Sequence, residues 1–192
     1  MKKVAVTGGI GCGKSYICEV FETLGVPVFY ADEEAKKIYQ DQCFLEVLKH
    51  HFGTSIFKEG ALDRPSLAEI VFQDVKSLNK LNSLIHPKVI ENFQMWASGQ
   101  NTPYVIQEAA LIFEAHLEDL FDYVVCVDAP GEQALKRVMR RDTTDERSVR
   151  QRMANQMSVK EKREKSDFVI VNDGRCMLLP QILSLHEFLV NR

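Results

Sequence analysis

Eight consecutive residues, Gly8-Gly9-Ile10-Gly11-Cys12-Gly13-Lys14-Ser15, carry the densest chemistry in the chain. They match G-x-x-x-x-G-K-S/T in full. Glycines at this spacing let successive backbone N–H groups converge on phosphate oxygens, and a helix starting there adds its positive N-terminal end. The pattern predicts a nucleotide-phosphate cradle made by Gly9, Ile10, Gly11, Cys12, Gly13, Lys14, Ser15 and the backbone of Tyr16. Lys14 is expected to reach the β- and γ-phosphates, and Ser15 to ligate Mg²⁺ that arrives with the nucleotide. Two positions are unusual. Cys12 at a helix N-terminus admits a reactive thiol, although a small filler beside the turn suits the spot better. Tyr16 is bulky where a small hydroxyl residue would approach a phosphate more comfortably.

Asp32 is the candidate for handling an acceptor hydroxyl. It lies just past an apolar run, Val26–Tyr30, on the same strand edge as the glycine loop, where open α/β sheets bind ligands. Its carboxylate would take or orient the hydroxyl proton. Asp32 before Glu33-Glu34-Ala35 is equally a helix N-cap pattern, and the two roles are compatible. Arg137 and Arg141 are four apart, hence on one helical face, where planar guanidinium groups suit phosphate oxygens. A solvated basic face is the alternative reading.

These residues need a scaffold. Five short runs rich in Val, Ile, Tyr and Phe read as strands: Val4–Thr7, Val26–Tyr30, Tyr104–Gln107, Tyr123–Asp128 and Phe168–Asn172. Most are continuously apolar, as in parallel strands covered on both faces. Between them lie helical stripes. Ile17, Val20, Phe21 and Leu24 stop at Gly25, and Leu178, Ile182, Leu185 and Leu189 follow the last strand. Alternating strands and helices predict an α/β fold, a five-stranded parallel sheet flanked by helices.

One gap breaks the rhythm. Residues 33–103 read as several helices, Ala35–Tyr39, Phe44–His51, Ser66–Phe72, Ser77–Ile85 and Val89–Trp96. A single crossover does not need that length. The expected organisation is a sheet core of residues 1–31, 104–141 and 166–192, an inserted helical subdomain of residues 32–103, and a basic segment of residues 142–165. His86-Pro87 reads as a helix start with Pro87 in its first turn. Ser158-Val159-Lys160-Glu161 is a capping box, so a helix should begin near Ser158.

Charge and composition exclude several classes. The net charge is −3 over 192 residues, which argues against a general nucleic-acid or membrane-surface binder. Yet Lys136–Lys165 holds eleven basic and five acidic residues, a local net of +6. No apolar run approaches the ~20 residues of a membrane-spanning helix. Cys12, Cys18, Cys43, Cys126 and Cys176 are odd in number and lack Cys-x-x-Cys spacing, so no disulfide framework is expected and a cytoplasmic location fits. His50, His51, His116 and His186 form no ligand-like constellation, and no protein metal site is suggested.

A phosphate loop does not by itself separate kinases, GTPases and ATP-driven motors. Asp128-Ala129-Pro130-Gly131 fits the loose D-x-x-G pattern of GTPases, but Asn79-Lys80-Leu81-Asn82 lacks the aspartate of a guanine reader. More specific pieces follow one another in order: Ala31-Asp32, Leu62-Asp63-Arg64, Leu81-Asn82, Ile85-His86-Pro87, Leu111-Ile112-Phe113-Glu114, Arg137 with Arg141-Asp142, Arg152 with Gln156, and Val171-Asn172 before Gly174. With the phosphate loop they resemble the dephospho-CoA kinase family, a P-loop kinase group, over nearly the whole chain.

That resemblance implies transfer of the ATP γ-phosphate to the ribose 3′-hydroxyl of dephospho-CoA, the last step of coenzyme A synthesis. It implies Asp32, Lys14 and Arg141 as catalytic residues, with Arg137 and Asn172 near the adenine. It places Arg64, His86 and Glu114 with Asp32 on the substrate side, and makes residues 32–103 a helical CoA-binding insertion. ATP and dephospho-CoA are the expected partners, with Mg²⁺ as cofactor, no nucleic acid or membrane, and a monomer or weak homo-oligomer. A P-loop kinase for another small acceptor, such as a nucleoside monophosphate, is the alternative.

Overall fold

The computed structural model describes residues 1–191, Phe72 by its backbone alone. In chain order the first elements are β1 (Lys2–Thr7), α1 (Lys14–Thr23), β2 (Val28–Tyr30), α2 (Ala31–Ile38) and α3 (Gln42–Phe52). Next come β3 (Phe57–Lys58), β4 (Ala61–Leu62), α4 (Arg64–Gln73), α5 (Val75–Ser98) and β5 (Tyr104–Glu108). The remainder is β6 (Tyr123–Asp128), α6 (Gly131–Asp142), α7 (Glu146–Ala154), α8 (Val159–Lys165), β7 (Phe168–Val171) and α9 (Leu178–Asn191). Two compact units result, Met1–Tyr30 with the chain from Gly99 onward, and Ala31–Ser98.

The first unit holds a five-stranded sheet in the order β2-β5-β1-β6-β7, every neighbouring pair parallel. The five expected strands are these five. Their central residues are apolar without alternation because both faces are covered: Val4, Ala5, Val6 and Val125 are fully buried. α1 contributes Ile17, Cys18 and Phe21 to this core, and α9 contributes Ile182, Leu185 and Leu189. Each fully buried aliphatic side chain of this kind stabilises by roughly 1.5–3 kcal/mol. A smaller cluster, Leu135, Val138 and Val149, joins α7 to α6, with Ile10 of the glycine loop packed against it.

In the second unit the sequence reading needs two corrections. Ser77–Ile85 and Val89–Trp96 are not separate helices but parts of α5, with Pro87 inside it. Pro87 therefore does not start a helix. A mid-helix proline costs about 3 kcal/mol through its missing N–H and its ring clash. The apolar row Leu81, Ile85, Val89, Phe93 and Ala97 is buried at every fourth position on both sides of the proline, and this packing carries the helix through. The insertion also contains a small antiparallel hairpin, β3 with β4. Its turn residues Glu59 (φ 50°) and Gly60 (φ 83°) both have positive φ, the requirement of a type I′ turn.

Candidate active site

β1 stops at Thr7, and the chain turns through the glycine loop into α1. Gly11 (φ 78°) and Gly13 (φ 95°) adopt left-handed backbone angles. A Cβ on Gly11 would meet the Ala134 carbonyl oxygen at 2.4 Å, and one on Gly13 would meet Asn172 Nδ2 at 2.4 Å. Glycine is thus demanded twice, by angle and by space. Lys14 is buried and folds back over the loop, Nζ donating to the carbonyls of Gly8 (3.2 Å) and Gly9 (3.4 Å). Its ion-pair partner is Glu108, with Nζ 3.9 Å from Oε1. Ser15 stays exposed at the start of α1. The Ile10 N–H, one of the loop amides expected to meet phosphate, donates to Gln156 Oε1 at 2.9 Å.

Glu108, the buried carboxylate paired with Lys14, is the site residue that sequence reasoning missed. It ends β5, the strand beside β1, and is buried in register with Val6. A carboxylate closing an otherwise apolar strand was the available signal. Its neighbour along the sheet was not visible locally, because β5 is some hundred residues from β1 in sequence.

α6 presents Arg137 and Arg141 on one face, as their spacing requires. Arg137 spans the loop and the end of β7, donating to the Cys12 and Asn172 carbonyls, Gln133 Oε1 and Asn172 Oδ1, all at 3.4 Å. Asn172 donates in turn to the Cys12 carbonyl at 2.8 Å. Its side chain therefore braces the glycine loop. Arg141 is exposed and paired with Asp142, Nε to Oδ1 at 2.6 Å, while Arg152 of α7 holds the other oxygen at 2.7 Å. These two guanidinium groups hold the Asp142 carboxyl down at about 2. Gly11, Gly13, Lys14, Ser15, Tyr16, Arg137, Val138 and Arg141 line a single cavity of 250 Å³. The structure thus brings Gly11, Gly13, Lys14, Ser15, Tyr16 and both expected arginines to one cavity, while Gly9, Ile10 and Cys12 line a neighbouring one with Gln156 and Val159.

Cys12 is buried, and burial pushes its thiol up from the ordinary value against the pull of Lys14. Burial and the raised thiol both favour the small filler over a reactive thiol.

Residues 142–165 fall within the first unit. Ser158 caps α8 with the expected box, its side chain accepting from the Glu161 N–H while Glu161 reaches back to the Ser158 N–H. Within α8, Lys162 is completely buried. Its Nζ donates to the Ala110 carbonyl at 2.5 Å and pairs with Glu114 Oε1 at 2.8 Å. Glu114 also accepts the Met157 N–H at 2.8 Å. The carboxylate assigned by resemblance to the substrate side is thus engaged by α8 and the turn before it. Removing one partner of a buried pair strands the other charge. Lys162→Met should destabilise by about 3 kcal/mol. That lowers Tm by about 6–12 °C in a chain of this size, readable by calorimetry. A Tm within 2 °C of the parent would show that the pair is not holding α8.

In the second unit Asp32 is the second residue of α2, inside the first turn rather than at its N-cap. It makes no hydrogen bond or ion pair among the described residues. Arg64 begins α4, donates to the Lys36 carbonyl at 3.1 Å and lies over the Tyr39 ring at 5.3 Å. His86 is half-buried in α5, and burial lowers its pKa. Among the described residues no group of three His, Cys, Asp or Glu side chains is arranged to hold a metal ion, and no helix is long and apolar enough to cross a membrane.

A glycine-lysine-serine loop at the end of the central strand of a five-stranded parallel sheet, with arginines facing it from α6, is the make-up of a P-loop kinase. A family model described as dephospho-CoA kinase matches residues 2–177. A dephospho-CoA kinase of Bacteroides fragilis (strain YCH46) is 38% identical over 192 residues, spanning 99% of this chain and 94% of the relative. The crystal structure of TT1252 from Thermus thermophilus superposes with a TM-score of 0.88 at 31% identity, covering 97% of this chain and 96% of that one. Dephospho-CoA kinase from Campylobacter jejuni superposes with a TM-score of 0.68 at 27% identity, covering 98% and 97%. The chain belongs to the dephospho-CoA kinase family, the ATP-dependent kinases of the final step of coenzyme A synthesis.

Proposed function

We propose that this chain transfers the γ-phosphoryl group of ATP to the ribose 3′-hydroxyl of dephospho-CoA. The observation that carries the reading is the 250 Å³ cavity in which the glycine loop, Lys14, Ser15, Arg137 and Arg141 meet, in a chain of this family. The loop amides and Lys14 bind the β- and γ-phosphates. Arg141 leaves Asp142 to meet the phosphoryl group in flight, where its contact strengthens as charge redistributes. Asp32 accepts or aligns the 3′-hydroxyl, and Arg64 and His86 belong to the acceptor side. Residues 142–165 act as the lid that excludes water and so prevents wasteful hydrolysis.

The donor set suits Mg²⁺. The exposed Ser15 hydroxyl and the Glu108 carboxylate would offer oxygen ligands, too few for a protein cage but fitting for an ion that keeps waters and phosphate oxygens. Such an ion would neutralise charge across the β- and γ-phosphates. A cytoplasmic enzyme that needs no nucleic acid or membrane completes the reading.

The test is a panel of acceptors, with ADP release measured and products weighed by mass spectrometry. Dephospho-CoA should be preferred and its product phosphorylated at the 3′-oxygen. A higher kcat/KM for any nucleoside monophosphate would replace dephospho-CoA as the substrate.

A further inference from the structure

The Tyr16 side chain has no task in the fold. It is 58% exposed, while the next two residues of α1, Ile17 and Cys18, are completely buried in the core. Its hydroxyl makes no hydrogen bond among the described residues. Yet Tyr16 lines the 250 Å³ cavity together with Arg137, Val138 and Arg141. An aromatic ring left half in water beside a phosphate loop is a surface without a protein partner.

The order of groups along the cavity says what would cover it. Phosphate oxygens are drawn to the Gly11–Ser15 amides and Lys14. The rest of a nucleoside triphosphate, its ribose and base, must then leave the loop past the residues that follow Ser15 in α1 and those that face them from α6. On the α6 side Arg137 is already held by Gln133, Asn172 and the Cys12 carbonyl, a planar cation fixed in place. Among the described residues, the flat group lining the cavity on the α1 side is Tyr16.

We infer that the Tyr16 ring is a platform against which the donor's nucleoside packs, and that it sets the preference for purine over pyrimidine triphosphates. This deepens the kinase reading and rests on it. A stacked phenol ring reads the area of a base and not its hydrogen-bonding edge. Tyr16 therefore selects by ring size: it favours ATP and GTP alike and rewards CTP less. Any choice between adenine and guanine must come from other groups.

Titration calorimetry with Mg²⁺ separates this from a role in the loop itself. The probes are ATP, GTP, CTP and inorganic tripolyphosphate, which has the phosphates and no nucleoside. Tyr16→Leu should weaken ATP and GTP about tenfold, the order expected for one lost aromatic stack, and CTP less than threefold. Tripolyphosphate should bind Tyr16→Leu as it binds the parent, and Tyr16→Phe should restore ATP affinity to within twofold. Equal ATP affinity in Tyr16→Leu and parent overturns the inference. So does a loss for tripolyphosphate as large as that for ATP, which would assign Tyr16 to the loop's conformation. If the parent bound neither ATP nor tripolyphosphate, the kinase reading would fall first and this inference with it.

Discussion

Lys14→Ala should leave a folded protein that turns over at least about 10³-fold more slowly, the scale on which a single preorganised donor to the transition state is worth. Among the described residues lining the cavity, Lys14 is the buried cation, folded back along the glycine loop. In the structure its Nζ is satisfied by the Gly8 and Gly9 carbonyls and by Glu108, which stand where charge awaits the triphosphate. Bound ATP would draw the ammonium onto its own oxygens, so the binding free energy is spent where negative charge redistributes during transfer. Alanine removes that charge and the 3.9 Å ion pair with Glu108, which should also weaken MgATP binding. The strands and α1 are held by Val4, Val6, Ile17 and Phe21, none of which touches the chemistry, so circular dichroism should be unchanged. Turnover within tenfold of the parent would remove Lys14 from catalysis.

Asp32→Asn should cut kcat by about 10²–10³-fold while changing ATP affinity less than threefold, towards the lower part of what a positioned base supplies. Asparagine keeps the size of the side chain and one acceptor oxygen but cannot take a proton. Because the transition state of phosphoryl transfer is loose, part of the carboxylate's effect is alignment, which asparagine retains in some measure. The fold should not suffer. Asp32 sits in the first turn of α2 without a hydrogen bond among the described residues, so its structural contribution is a helix-dipole effect of about 0.3–1 kcal/mol. Steady-state kinetics and the ATP dissociation constant, measured on one preparation, distinguish the two roles. Unchanged kcat with a slightly lower Tm would leave Asp32 as a helix-stabilising residue only.

The parts of the molecule that could be read in advance are those whose cause is local. The glycine loop follows from angles and close approaches that only glycine tolerates, and these are written in consecutive residues. The five strands follow from continuous apolar runs, and the α8 start from a four-residue capping box. Pro87 misled because its penalty is local while the remedy, a buried row from Leu81 to Ala97, depends on what α5 packs against. The β3–β4 hairpin was overlooked because two-residue strands leave almost no periodicity to detect, although Glu59-Gly60 was a turn signal.

The sequence alone thus determined the phosphate cradle, the α/β plan and the family, since each is encoded by neighbours in the chain or by motifs in fixed order. Tertiary structure decided which distant charges meet: Glu108 with Lys14, Lys162 with Glu114, Gln156 with the Ile10 amide. It also decided that Asn172 braces the loop and that Tyr16 stands uncovered at the cavity wall. Such pairings depend on strand order and on the burial of particular atoms, and neither is a property of any short stretch of residues.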